Sequence, residues 1–113
     1  MALPLNVFKT ITSIASTNPV GIYTAPVGYT GVILLSQAAN IGNSTQSISF
    51  SHQRTTSGIA VTTEILKTFP IASGDSANLL SGKLVLQSGD VLIFSATTGT
   101  DIKFIGSILE TLN

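Results

Sequence analysis

The sequence has very little charge and lacks most of the side chains that carry chemistry in proteins. It contains no cysteine and no tryptophan, one histidine and one methionine, and charged residues make up 9% of its 113 positions. A typical soluble domain carries about 25% charged residues. Without cysteine there is neither a disulfide framework nor a thiolate ligand or nucleophile, which effectively excludes a zinc site and leaves the redox compartment undetermined.

The few charges that exist balance each other. Five basic residues, one arginine and four lysines spread from Lys9 to Lys103, face five acidic residues, and the formal net charge is zero. Such a chain has no basic stripe to neutralise a phosphate backbone, so we expect no nucleic-acid binding. No stretch approaches 18 continuous apolar residues, and no positive segment precedes the apolar N-terminus, so we expect neither a membrane span nor a secretory signal.

Small hydroxyl and β-branched side chains take the place of charge. Serine and threonine supply 29 residues and isoleucine another 13, which is the composition of half-buried strands with an uncharged polar face. Mean hydropathy is +0.49. Because net charge normally keeps small domains apart in solution, we infer that much of this surface is covered when the protein works. The alternative is a monomer coated with hydroxyl groups.

Turn residues interrupt the chain at short intervals and predict one all-β domain over residues 1–113. Gly, Pro, Asn and Asp cluster at positions such as Asn18-Pro19, Gly42-Asn43 and Ser88-Gly89-Asp90. Between the turns we predict about eight short strands: Val7–Ala15, Ile22–Ala25, Gly31–Ala39, Gln46–Gln53, Ile59–Phe69, Lys83–Leu86, Val91–Thr97 and Ile102–Leu112. This spacing favours an antiparallel β-sandwich of jelly-roll type.

Three local patterns refine this prediction. Alternation along residues 47–52 places Ile48, Phe50 and His52 on one face and serines on the other. The uninterrupted apolar run Val32–Leu35 predicts a strand covered on both faces, either by a second layer or by a neighbouring chain. Pro70 is expected to end the fifth strand, because proline cannot donate to a ladder.

The residues offer little catalytic chemistry. His52 is the only candidate base of the usual kind, and we predict that it is a core or interface residue with a satisfied ring nitrogen. Asp75, Asp90 and Asp101 stand in turns, where an aspartate commonly caps its own backbone. A calcium site would need the loops of Asp75 and Asp90 to converge, and no Walker-type phosphate loop is present. We therefore predict no enzyme, no metal and no cofactor.

The aromatic residues divide into two groups. We predict that the five phenylalanines, including Phe8 and Phe69, belong to the core. Tyr23 and Tyr29 flank the turn at Pro26, and they form either a hairpin pair or a small contact surface that suits a protein partner or a sugar.

Segments across residues 20–111 resemble a pattern found in small structural proteins of tailed bacteriophages. They are Ile22–Ile33, Ala39-Asn40 with its polar turn, Gly82–Leu86 with Gly89-Asp90, and Ser107–Glu110. The resemblance implies a virion protein assembled in the host cytoplasm. It further implies a head decoration or cement protein, a β-sandwich that binds the lattice of the major capsid protein, often as a homotrimer.

The resemblance also predicts which residues contact other virion proteins, and the first of them lie at the N-terminus. Residues 1–8 are expected to act as a docking arm, because a segment ahead of a sandwich can add a strand to a neighbour. The predicted partner contacts are Leu3, Leu5, Phe8, Tyr23 and Tyr29. Three alternatives stay open: a neck, tail or fibre protein of the virion, a carbohydrate-binding sandwich that uses the two tyrosines, and, least favoured, a jelly-roll enzyme.

Overall fold

The computed structural model of the chain describes residues 6–97 and 100–113, and all its regular structure is β. The nine strands are, in order, β1 (Asn6–Ile14), β2 (Val20–Thr24), β3 (Tyr29–Asn40), β4 (Gln46–Thr56), β5 (Ile59–Ile71), β6 (Ser76–Asn78), β7 (Leu84–Leu86), β8 (Val91–Ala96) and β9 (Ile102–Leu112). No helix occurs within these described residues.

The strands form two antiparallel sheets that pack as a sandwich. One sheet has the order β1-β9-β3-β6, with β7 also paired to β3, and the other has the order β2-β8-β4-β5. Because β6 and β7 both lie on the same side of β3, they act as one strand interrupted by residues 79–83. Eight strands in this arrangement are a jelly roll. The predicted antiparallel sandwich and its jelly-roll topology are thus confirmed, with the sixth of the eight strands divided into β6 and β7.

Alternating side chains from both sheets fill the core. On β4, Ile48 and Phe50 are fully buried and Ser47 and Ser49 are partly buried, as the alternation predicted. The prediction is wrong beyond Phe50, where the register with β5 shifts: Ser51 is buried and His52 only partly so. Phe50 lies against Phe94 and Phe104, with ring centroids 5.9–6.3 Å apart. Each fully buried aromatic ring contributes roughly 1.5–3 kcal/mol of transfer free energy, so this cluster holds the two sheets together.

The expectation that all five phenylalanines are buried is wrong for two of them. Phe8 on β1 is 75% exposed, and Phe69 on β5 is 39% exposed. Both belong to edge strands of their sheets. Phe8 lies on the outer face of its sheet, where no second layer covers it. Phe69 lies opposite the buried Ile48, but it is at the rim of the sandwich, where the core covers it only in part. Local hydropathy reveals neither position.

The prediction that Val32–Leu35 is covered on both faces is also wrong within the single chain. Ile33 is buried, but Leu34 and Leu35 are 38% and 40% exposed. The pairing of β3 with β9 shifts register between Ile33 and Leu35. Such a bulge places one additional residue on a strand and interrupts the alternation of faces, so consecutive leucines both reach the surface.

The fifth strand does not end before Pro70. It continues to Ile71, and Pro70 lies opposite Ser47 of β4. Proline is tolerated here because β5 is the edge of its sheet, where an N–H group is not needed on the open side. The short strand β6 was not predicted, since its residues Ser76, Ala77 and Asn78 include no β-branched or aromatic side chain.

Candidate functional site

The outer face of the five-stranded sheet carries a row of apolar side chains. Phe8 lies opposite Leu109, Leu109 opposite Val32, and Val32 opposite Val85. These four residues, here named the apolar row, cross the sheet from β1 to β7. With about 4.8 Å between neighbouring strands, the row is about 14 Å long. At its two ends Phe8 is 75% exposed and Val85 55% exposed.

Further apolar groups extend this face along the strands. Leu35 and Ile105 are each about two-fifths exposed, and Ile14 more than half. Near the end of β1, an open depression of about 640 Å³ is lined by Thr12, Ile14, Gln37, Ala39, Lys103 and Ile105, among others. Polar side chains, including Thr12, Gln37 and Lys103, lie between these apolar groups, so the face combines several exposed apolar side chains with polar ones.

A second apolar surface lies on the hairpin formed by β4 and β5. The pairing of β4 with β8 reaches only as far as Gln53, whereas its pairing with β5 continues to Thr56. The tip of the hairpin therefore extends past the neighbouring strand. On this overhang Ile59 and Val61 are 67% and 60% exposed, so their apolar surface is left uncovered by the rest of the chain.

The root of this hairpin is held by a buried carboxylate. Asp90, whose side chain is 3% exposed, accepts hydrogen bonds from Arg54 Nη2 at 2.6 Å and Nε at 3.0 Å. His52 Nε2 lies 3.0 Å from the same carboxylate, and the Gln87 N–H donates to it at 2.9 Å. The ring nitrogen of His52 is thus engaged, and four donor groups converge on one acid.

The electrostatics of this cluster favour the ionised acid. The hydrogen bonds from Arg54 hold the pKa of the Asp90 carboxyl well below its ordinary range, although burial acts in the opposite direction. His52 and the Gln87 backbone reinforce the effect of Arg54. A carboxylate that is ionised and fully engaged is a structural clamp, since a general acid or base needs a pKa near the working pH.

A second polar cluster joins the two sheets at Tyr23. Its hydroxyl donates to Glu110 Oε2 at 2.6 Å, and Lys9 Nζ lies 3.2 Å from Glu110 Oε1. The tyrosine ring passes over Gly31, where a Cβ atom would lie only 3.0 Å from the hydroxyl oxygen. Burial raises the pKa of Tyr23 above its ordinary range, and the hydrogen bond to Glu110 raises it further. Tyr23 is therefore a neutral donor at every physiological pH.

The predicted contact residues do not gather at one place. Leu3 and Leu5 lie outside the described residues. Phe8 is at one end of the apolar row, whereas Tyr23 directs its hydroxyl into the sandwich. Tyr23 and Tyr29 are not a hairpin pair, because β2 pairs with β8 and β3 pairs with β9. The roles of these five residues in partner binding stay predictions.

Most of the exposed apolar surface comes from residues that the sequence did not single out. Val85, Leu109 and Ile105 lie in strands that were correctly predicted, but their place on an outer face depends on the register between distant strands. Within the described residues, no group of three or more His, Cys, Asp or Glu side chains is placed to hold a metal ion. In the same part of the chain, no helix is long and apolar enough to cross a membrane.

Comparisons with known proteins give matches in structure alone. No protein-family model matches the chain, and no curated protein does. The chain is similar to a protein of the acid-stable capsid of Helicobacter pylori bacteriophage KHP30, with 11% identity, a TM-score of 0.56, and coverage of 96% of this chain and 89% of that one. The likeness is one of fold.

Two further structures share the same architecture. A protein of the infectious bursal disease virus T13 particle has 9% identity and a TM-score of 0.59, and the match covers 97% of this chain but 32% of that one. This chain therefore spans about a third of that viral protein. A protein of Bacillus endospore appendages, described as disulfide-linked pili, has 19% identity and a TM-score of 0.51, covering 96% and 88% of the two chains.

Proposed function

We propose that this chain is a non-enzymatic structural protein of a bacteriophage virion, and that it decorates the head by binding the lattice of the major capsid protein. The observation that carries the proposal is the apolar outer face of the five-stranded sheet on a domain with zero net charge. Such a surface suits a molecule that spends its working life covered by neighbours. The likeness in fold to a phage capsid protein of similar length supports it.

The mechanism is binding energy distributed over many contacts. The apolar row and the hairpin overhang lie on different sheets, so one copy can contact more than one neighbour. Linked contacts on a lattice add by avidity, and weak individual interfaces then give stable occupancy. We expect copies to associate as trimers on the head, as the resemblance to decoration proteins implies.

The N-terminal segment is a proposed additional contact. Residues 6–8 form the start of β1, where they pair with β9, so a docking arm ahead of the sandwich consists of residues 1–5. These are Met, Ala, Leu, Pro and Leu, an uncharged sequence that suits an apolar groove on a capsid subunit. Removal of residues 1–5 leaves every described strand intact and is expected to weaken attachment to heads.

Binding to heads that lack the protein tests the proposal. Purified protein is mixed with such heads, sedimented, and the bound copies are counted by quantitative mass spectrometry. The wild type is expected to saturate the lattice with hundreds of copies, and Val85→Asp, which places a charge in the apolar row, to bind far less. Thr45→Asp, at an exposed position in the connection between β3 and β4 and outside both apolar surfaces, is the matched control for added charge.

Copy number also separates the head from the rest of the virion. Occupancy limited to tens of copies or fewer, with antibody label at the neck, tail or fibres, would overturn decoration and favour the alternative virion position. If Val85→Asp binds heads as well as the wild type does, the apolar row is not part of the interface. Failure of the wild type to bind any virion component would refute the structural role itself.

A further inference from the structure

The edge strand β1 is the least protected sheet edge of the described residues. Its nine residues pair with β9 in one uninterrupted register from Asn6 to Ile14, with no bulge and no proline. Its one charged side chain, Lys9, is 3.2 Å from the buried carboxylate of Glu110. Natural sheets protect their edges with charged side chains, prolines, bulges or very short strands. Of these features β1 has one, the charge of Lys9, which is paired with Glu110, and it has neither a proline nor a bulge.

The other edges of the described sandwich do carry such features. On β5 the register with β4 shifts twice, Thr68 has a positive φ of 50°, and Pro70 lies near its end. The strand β2 has five residues and a register shift, and the edge beyond β3 is divided between two strands of three residues each. The contrast singles out β1 as the edge that is open to strand addition.

The backbone of β1 presents its free hydrogen-bonding groups at known positions. The Ala15 N–H donates to the Ile102 carbonyl at 2.8 Å, and these two residues continue the register of β1 with β9. In an antiparallel pair, residues that bond to the partner alternate with residues whose N–H and C=O point away from it. Ser13, Ile11 and Lys9 therefore bond to β9, while Phe8, Thr10 and Thr12 direct both backbone groups outward.

We propose that β1 pairs with β1 of a second copy of this chain, antiparallel and about a two-fold axis at Thr10. This register joins all nine residues of each strand, and it is self-complementary, as a two-fold interface requires. It places Phe8 opposite Thr12 of the other copy and Lys9 opposite Ile11, so that no like charges meet. Two copies with zero net charge do not repel each other on approach.

The pairing would also place two apolar surfaces on one sheet. The five-stranded sheets of both copies become one continuous sheet, and Phe8, otherwise 75% exposed, lies beside Thr12 of the other copy. The two apolar rows then share one face of this sheet and are offset by four residues along β1. A two-fold contact produces even-numbered assemblies: a dimer by itself, or a hexamer if trimers also form. The inference does not depend on the proposed capsid role, because it concerns contacts between copies in solution.

Native mass spectrometry of a matched pair of variants tests the pairing. Thr10→Pro removes one outward N–H group from each strand and leaves the bonds between β1 and β9 in place. Thr10→Ala removes the side chain and keeps the N–H. We expect an even-numbered oligomer for the wild type and for Thr10→Ala, and half that mass for Thr10→Pro. A wild-type monomer, an odd-numbered oligomer, or an unchanged mass for Thr10→Pro would overturn the proposal.

Amide hydrogen exchange in the wild type keeps the test valid even if Thr10→Pro does not fold. In an unpaired β1, the amides of Phe8, Thr10 and Thr12 exchange fast, while those of Lys9 and Ile11 are protected. In the paired strand all five are protected, and we expect the outward amides to slow by about tenfold or more as protein concentration rises. Persistent alternation at concentrations where the oligomer dominates would show that another surface joins the copies.

Discussion

Replacement of Asp90 by asparagine is expected to destabilise the fold markedly at neutral pH. The carboxylate is 3% exposed and accepts hydrogen bonds from Arg54 and from the Gln87 backbone, with His52 Nε2 at 3.0 Å. Breaking a fully buried ion pair costs about 3–5 kcal/mol. Because the Arg54 side chain is 41% exposed and can regain water, we expect a smaller loss, about 2–3 kcal/mol, close to that of a lost charged hydrogen bond.

Urea unfolding at pH 7 measures this loss. For a domain of this size, the free energy of unfolding falls by about 1–1.5 kcal/mol per molar urea. The urea midpoint of Asp90→Asn is therefore expected to lie roughly 2 M below that of the wild type. The control is Asp75→Asn, since the exposed Asp75 carboxylate bonds only its neighbour's backbone N–H, that of Ser76, at 2.8 Å. A surface change of this kind costs no more than about 0.5 kcal/mol. Equal urea midpoints for the two variants would show that the contacts of Asp90 do not stabilise the fold.

The pH dependence of the same comparison provides an independent check. The pKa of Asp90 is lowered in the folded state, whereas an aspartate in the unfolded chain titrates near 3.9. Its stabilising contribution is therefore complete above about pH 5, and it is lost as the pH falls towards the folded pKa. We expect the difference in unfolding free energy between wild type and Asp90→Asn to narrow as the pH falls below about 4. A difference that widens below pH 4 would contradict the assignment.

Two further predictions concern the link between the sheets and the core. Tyr23→Phe removes the hydroxyl that donates to Glu110 and is expected to lower the free energy of unfolding in urea by about 1–2 kcal/mol. Most of that effect is expected to be absent in a Glu110→Leu background, which has no acceptor, and equal effects in both backgrounds would exclude the coupling. Phe50→Ala is expected to cost about 3–5 kcal/mol because it opens a cavity in the core, whereas Phe8→Ala is expected to change stability by no more than about 0.5 kcal/mol. If Phe8→Ala strongly lowers the free energy of unfolding of the monomer, this exposed ring contributes to folding.

The sequence predicted the class of fold well because its signals are local. Turn residues delimit strands within a few positions, and the alternation at Ile48 and Phe50 identified a core-facing strand directly. Many short amphipathic strands predict two packed sheets, because a sheet with one apolar face needs a second layer to bury that face. These properties depend on neighbouring residues along the chain, which is why they could be predicted without a structure.

The candidate site could not be predicted because it depends on register between distant strands. Asp90 meets Arg54 across 36 positions of sequence, and Tyr23 meets Glu110 across 87. The bulge beside Leu34 moves two leucines to the surface, and nothing in their hydropathy distinguishes them from buried residues. The same limit explains Phe8, whose exposure follows from its place on an edge strand.

The apolar surface of this protein is therefore best explained by binding and not by folding. The buried phenylalanine cluster already closes the sandwich without any member of the apolar row. Exposed apolar groups that add nothing to the core still carry a cost, since they promote association in a chain whose net charge is zero. That cost disappears when the surface is covered by a neighbour. This cost is the physical reason for the proposal that a neighbour covers the apolar row.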